Sequence, residues 1–208
     1  PSSTMSPTSK AGHIVAEALT ARPLERDTSD TAILEATLRC LTRYGMDRMT
    51  VDDVARAAGV GRATVFRRFE SKDDLIRQAI ARELRRLTKE FIAKAGAIDD
   101  PYQRVVELSM EMVRIVRTHP VGRRLVEDES ALGLYADPRI AKYQRTGVKR
   151  MLDRAAEQLG VTADTEAMAE LLVRFYGSVW LAPEISPVLD EDRVRRMITI
   201  ILAPLAPA

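Results

Sequence analysis

Four basic side chains and a threonine crowd into eleven residues of this 208-residue chain: Arg62, Thr64, Arg67, Arg68 and Lys72, within the run AAGVGRATVFRRFESK from Ala57 to Lys72. Arginine can pair with a guanine edge or a phosphate, and threonine can meet a thymine methyl or a phosphate. The chemistry within reach of such a set is recognition of a polyanion rather than bond breaking. A solvated basic face on an ordinary surface helix is the plain alternative. Here a glycine turn, apolar positions at buried spacing, a capped preceding helix and a basic outer face coincide, which favours recognition.

The elements that must position these residues read as helices. TAILEATLRCLTRYG, residues 31–45, carries Ile33, Leu34, Thr37, Leu38, Leu41 and Tyr44 on one stripe, and Gly45 stops it. Thr50 and Asp53 have capping-box spacing before VDDVARAAG, with Asp52 suited to the positive helix end. Gly59 allows a tight turn, Val60 plugs it and the small Ala55 permits close approach. A third helix follows from Gly61 to Phe69. Val65 and Phe69 can face inward, which leaves Arg62, Ala63, Thr64, Arg67 and Arg68 outside, near a helix N-terminus whose free N–H groups suit phosphate. Ser71 and Asp74 open a long fourth helix, residues 71–95, with Leu75, Ile76, Ala79, Ile80, Leu84, Leu87 and Phe91 as its stripe.

Catalytic constellations are absent from the sequence. His13 and His119 stand apart, and no His/Cys spacing suits a metal. Neither a phosphate loop nor a nucleophile elbow occurs. The single cysteine, Cys40, lies inside the first stripe as a small core residue. The acidic EDES run, Glu127–Ser130, is read as a solvated helix end rather than a metal site. No enzyme activity, cofactor or metal is expected.

Composition agrees with a folded protein: 46% hydrophobic and 30% charged residues exclude disorder. Net charge is only +2, so nucleic-acid affinity must come from a local patch. Residues 30–94 hold 14 lysines and arginines against 10 acids. No apolar run reaches the roughly 18 residues of a membrane helix, and there is no secretory h-region. With one cysteine, a reducing cytoplasm is the expected location. Residues 1–29 are rich in Ser, Thr and Pro and read as a flexible arm, from which Lys10, Arg22 and Arg26 could add minor-groove contacts.

After the linker at residues 97–101, helical periodicity continues over 102–118, 121–130, 138–159, 165–181 and 190–202, broken between the last two by APEISP. Strand alternation is nowhere convincing, so the fold class is all-α. Met110, Val113, Leu125, Leu132, Tyr143, Met151, Leu172, Phe175, Tyr176 and Trp180 suit an adaptable apolar pocket, although each alone suits a plain core. Met110, Val113, Leu125, Tyr143, Met151, Leu172, Phe175 and Tyr176 are the candidate ligand-binding residues. AMAELLVRFYGSVWLA is apolar around most of its circumference, and a helix with two apolar faces needs a second partner. Met168, Leu171, Val179, Trp180, Val194, Met197, Ile198 and Ile201 are therefore candidate interface residues of an intersubunit four-helix bundle.

Residues 31–76 resemble the N-terminal domain of TetR-family transcriptional regulators. The matching features are Gly45, Thr50, Val54-Ala55, Ala58-Gly59-Val60, Thr64, Phe66, Phe69 and Ser71-Lys72 followed by Leu75. The resemblance implies a helix-turn-helix DNA-binding domain at 30–76, a connecting helix at 71–95, and a helical ligand-binding and dimerisation domain at 97–208. Carried onto this chain, it gives Thr50, Gly61, Arg62, Ala63, Thr64, Phe66, Arg67, Arg68 and Lys72 as DNA-binding residues, with Thr50 and Lys72 on phosphates. Two departures matter: Gly61 where the family often has a hydroxyl cap, and Phe66 where it often has tyrosine. Each lost hydrogen bond costs about 1 kcal/mol, which Arg67 and Arg68 can offset. The expected function is a repressor that binds a palindromic double-stranded operator as a homodimer and is released by a small hydrophobic effector. A constitutive DNA-binding regulator without effector is the alternative.

Overall fold

A computed structural model describes residues 9–21, 28–182 and 190–206. Arg22, Arg26 and most of the APEISP break lie outside the described residues. Among the described residues all regular structure is helical. The elements are α1 (Lys10–Thr20), α2 (Thr28–Arg48), α3 (Val51–Ala58), α4 (Arg62–Arg68), α5 (Lys72–Gly96), α6 (Pro101–Thr118), α7 (Pro120–Glu127), α8 (Ala131–Tyr135), α9 (Pro138–Leu159), α10 (Thr165–Leu181) and α11 (Glu191–Ile201), with a short 3₁₀ turn at Ala203–Leu205. None of the described helices is long and apolar enough to cross a membrane.

The chain forms two compact units. One takes residues 1–86 and 124–140, the other 87–123 and 141–208. Three continuous helices, α5, α7 and α9, are each divided between them.

In the first unit α2 packs on α3 and α3 on α4. Ile33, Leu41, Met49, Val54, Val65, Phe69, Leu75 and Ile76 are its buried centre. Fully burying a side chain such as Phe69 stabilises by about 1.5–3 kcal/mol. α2 breaks at Gly45, whose φ is 77° and ψ 172°, a region open to glycine at little cost. A Cβ there would stand 1.9 Å from Asp128 Oδ2. Asp128 in turn pairs with Arg48 at 3.2 Å and Arg124 at 2.9 Å. The EDES run is thus not a bare solvated end: one of its carboxylates is locked against the break in α2.

The expected flexible arm is corrected over residues 10–20. Ser9 caps α1 by accepting from Gly12 N at 3.0 Å, Ile14, Ala16 and Ala18 are buried, and α1 packs on α8. Lys10 pairs with Asp73 at 2.9 Å. The Pro-free stretch KAGHIVAEALT finds its apolar cover some 115 residues away in sequence, a tertiary effect that composition does not register. α8 itself is likewise new: from the sequence, a single helix over 121–130 is expected there.

In the second unit α6 packs against α10 and α11. Asp100 caps α6 through Gln103 N, with Pro101 at the first helical position. Leu152, Leu172, Ile198, Leu202 and Leu205 are wholly buried.

Candidate nucleic-acid interface

The helix pair α3–α4 is built by its caps. Thr50 Oγ1 accepts from Asp53 N at 3.2 Å and donates to Asp53 Oδ2 at 2.6 Å, and Thr50 N donates to the same carboxylate at 3.0 Å. The Thr50 hydroxyl bond holds the Asp53 carboxyl below its usual range. Its hydroxyl proton is therefore already committed, and a phosphate has to compete for it. Gly59 ends α3 at φ 69° and ψ 29°, and Val60 N returns to Ala55 O at 3.0 Å. α4 opens at Gly61 without any side-chain cap. Its first turn therefore leaves backbone N–H groups for water or an anion.

Val65 and Phe69 are buried and anchor α4. Gly61, Arg62, Ala63, Phe66 and Arg67 are exposed and Thr64 is half-buried. Arg62 Nη1 donates to both carboxylate oxygens of Asp52, at 2.9 and 3.2 Å. Its guanidinium carbon lies 5.3 Å from the centre of the Phe66 ring. Arg67 makes no ion pair among the described residues. Lys72 Nζ donates to Asp47 O at 3.0 Å, which fixes the start of α5 against the end of α2.

Arg68 is a correction. From the sequence it belongs to the outer basic face, but its Nη1 bonds Asp30 Oδ1 and its side chain is only 25% exposed. Periodicity places residue 68 at the edge of the stripe. Only the fold brings Asp30, 38 positions earlier, to meet it. By its sequence position Asp52 merely favours a helix end; its bond to Arg62 is the other feature that spacing does not reveal.

A family profile described as "Bacterial regulatory proteins, tetR family" matches residues 33–79. Over 88 residues the chain is 33% identical to the uncharacterised HTH-type transcriptional regulator Rv1255c of Mycobacterium tuberculosis, and the match spans 42% of this chain and 44% of that relative. The chain thus spans less than half the length of that protein. LfrR, an HTH-type transcriptional repressor of Mycolicibacterium smegmatis, is 31% identical over 140 residues, covering 64% of this chain and 68% of LfrR. The chain belongs to the TetR family. Solved structures share its fold at low identity. The fatty acid degradation regulator FadR of Bacillus halodurans matches with a TM-score of 0.62 and 14% identity, over 88% of this chain and 96% of that one. AibR, solved with isovaleryl coenzyme A and operator DNA, matches with a TM-score of 0.57 and 16% identity, over 83% and 97%. Rv1255c and LfrR, both relatives of the TetR-family chain, are named helix-turn-helix transcriptional regulators.

The residues expected to bind a ligand do not all meet. Met110, Val113, Met151, Leu172, Phe175 and Tyr176 of the TetR-family chain share one apolar cluster in the second unit. Burial pushes the Tyr176 phenol up, partly offset by the Ser109 hydroxyl. Leu125 belongs to the first unit, and Tyr143 is an exposed residue of α9. The expected dimer set also divides. Met168, Val179, Val194 and Ile198 are buried within the single chain and so cannot form an intersubunit face. They complete the core that α10 and α11 make with α6. Leu171 and Met197 are exposed, Trp180 and Ile201 partly so. Ile200, another apolar residue of the same helix, is 73% exposed on α11. Trp180 Nε1 donates to Gly122 O at 3.1 Å, so its polar end is engaged inside its own unit.

Proposed function

We propose that this chain is a repressor that binds a palindromic operator as a homodimer and lets go when a small apolar molecule occupies its second unit. The observation that carries DNA binding is the uncapped, exposed first turn of α4, with Arg62 and Arg67 outward while Val65 and Phe69 hold the helix down. One such helix reads few base pairs. A two-fold pair doubles the site and sets half-sites about 34–36 Å apart or a multiple of it. The exposed Leu171, Met197 and Ile200 on packed helices α10 and α11 supply an apolar face for the second copy. LfrR, named a repressor, supports the sign of regulation.

The apolar cluster with the half-buried Met110, Met151 and Phe175 supports an effector. Thioethers and aromatic rings repack around apolar guests at small cost. AibR, solved with both an acyl coenzyme A and operator DNA, supports the pairing of the two activities. The effector must favour the DNA-released state, or it shifts nothing. α5, which carries Lys72 at one end and is shared by both units, is the element we assign to coupling.

Nuclease footprinting of DNA flanking the chain's own gene tests the reading. The expected result is protection of two inverted half-sites, lost when the effector is added. Protection that no apolar ligand relieves would leave a constitutive regulator. No protected sequence would overturn the proposal.

A further inference from the structure

The bond between Asp52 and Arg62 joins two exposed side chains, 51% and 61% accessible. Exposed pairs of this kind add little to stability. Their effect on orientation is larger. Both Asp52 oxygens take hydrogens from the same nitrogen, Nη1. The Nε and Nη2 hydrogens of Arg62 have no partner among the described residues. Phe66, one turn further along α4, lies within cation–π range of the guanidinium and limits its plane. The side chain therefore keeps one edge, Nε–H beside Nη2–H, as two parallel donors. That edge fits the N7 and O6 acceptors of a guanine. The same Asp52 carboxylate repels phosphate, which discourages Arg62 from settling on the DNA backbone.

We propose that Asp52 and Phe66 are specificity-determining residues that hold Arg62 for one guanine in each half-site. The inference rests on the reading of the chain as a sequence-specific DNA binder. Preorganisation of this sort raises discrimination by lowering the ordering cost for the correct base and removing alternatives for the wrong one.

The test selects the full chain and its D52A, F66L and R62A variants on a library of randomised duplexes. Affinity is then titrated against salt on a duplex of unrelated sequence. The parent should enrich a guanine at a position that R62A leaves unselected. D52A and F66L should still bind the rest of the site, with preference at that one position reduced about fivefold or more. D52A should also bind the unrelated duplex more tightly, with a salt slope steeper by about one, as Arg62 turns to a phosphate. Both changed residues are exposed, and melting curves confirm the fold of each variant. Unchanged preference at the Arg62 position in D52A and F66L overturns the inference while leaving DNA binding intact. A parent chain that enriches no sequence overturns the DNA-binding reading and this inference with it.

Discussion

Arg68, the last residue of α4, is bonded to Asp30 in the first turn of α2, while its neighbour Arg67 is exposed without an ion-pair partner among the described residues. Two adjacent arginines thus do different work. Arg67→Ala is expected to weaken operator binding by about 1–3 kcal/mol, as for loss of an arginine contact to DNA, with no change in melting temperature. Arg68→Ala is expected to lower stability by about 1–3 kcal/mol, because the largely buried Asp30 carboxylate loses the Arg68 guanidinium. At about 2–4 °C per kcal/mol for a chain of this size, that shift is readable by calorimetry. Equal stability of the two variants would contradict the assignment.

Gly45 and Gly59 both have positive φ, but only one is walled in. Gly59→Ala meets nothing within 4 Å and should cost about 1–2 kcal/mol of backbone strain. Gly45→Ala adds a collision with Asp128 and should cost more, about 2 kcal/mol or above. Adding Asp128→Ala to Gly45→Ala removes the collision but not the strain, so the double variant should recover part of the loss. Urea unfolding of the four proteins measures this directly.

Ile198 and Ile200 separate the core from the face proposed for the second copy. Ile198 is wholly buried and Ile200 is 73% exposed. Ile200→Glu should leave the fold intact and yield a 23.2 kDa monomer in sedimentation, with operator binding lost. Ile198→Glu should unfold the second unit, since a buried unpaired carboxylate costs several kcal/mol. A dimeric Ile200→Glu variant would place the interface elsewhere.

Glu111 on α6 gives a pH signature. Hydrogen bonding to Arg114 first, then to Lys94 of α5, brings its carboxyl down from 4.5 to about 2 against the opposing effect of burial. A carboxyl depressed in the folded state stabilises fully above its unfolded value and loses that contribution as pH falls. The stability gap between the parent and Glu111→Gln should be widest above pH 4.5 and should close toward pH 2. Melting temperatures recorded across that window test it. A gap that stays constant would remove the ion pairs from the account.

What could be read from the sequence was local. Thr50 with Asp53, Gly45, Gly59 and the opening of α9 at Pro138 announce themselves through dihedral preference and capping, which need only neighbours within a few residues. α10 shows where this stops. Its apolar residues surround the helix, and periodicity cannot tell a side facing α6 from a side facing a second copy. Met168 and Val179 therefore read from the sequence as interface residues although they are core. The basic face had the same weakness: the charge of Arg68 is visible in the sequence, but its partner Asp30 is visible only in the fold. α1 escaped because its caps and apolar residues are modest, and its cover comes from α8.

The unit that holds the helix-turn-helix is assembled from two stretches of chain, 1–86 and 124–140, with 37 residues of the other unit between them. It is not a cassette. A fragment cut at Gly96 would strip α1 of the helix it packs on and remove Asp128 from its seat beside Gly45. Transplanting the helix-turn-helix of this chain onto a foreign sensor would require carrying both stretches, or redesigning the surfaces they leave behind. Recombination that joins two such chains at a single crossover in α5 therefore produces chimaeras with mismatched halves inside one unit.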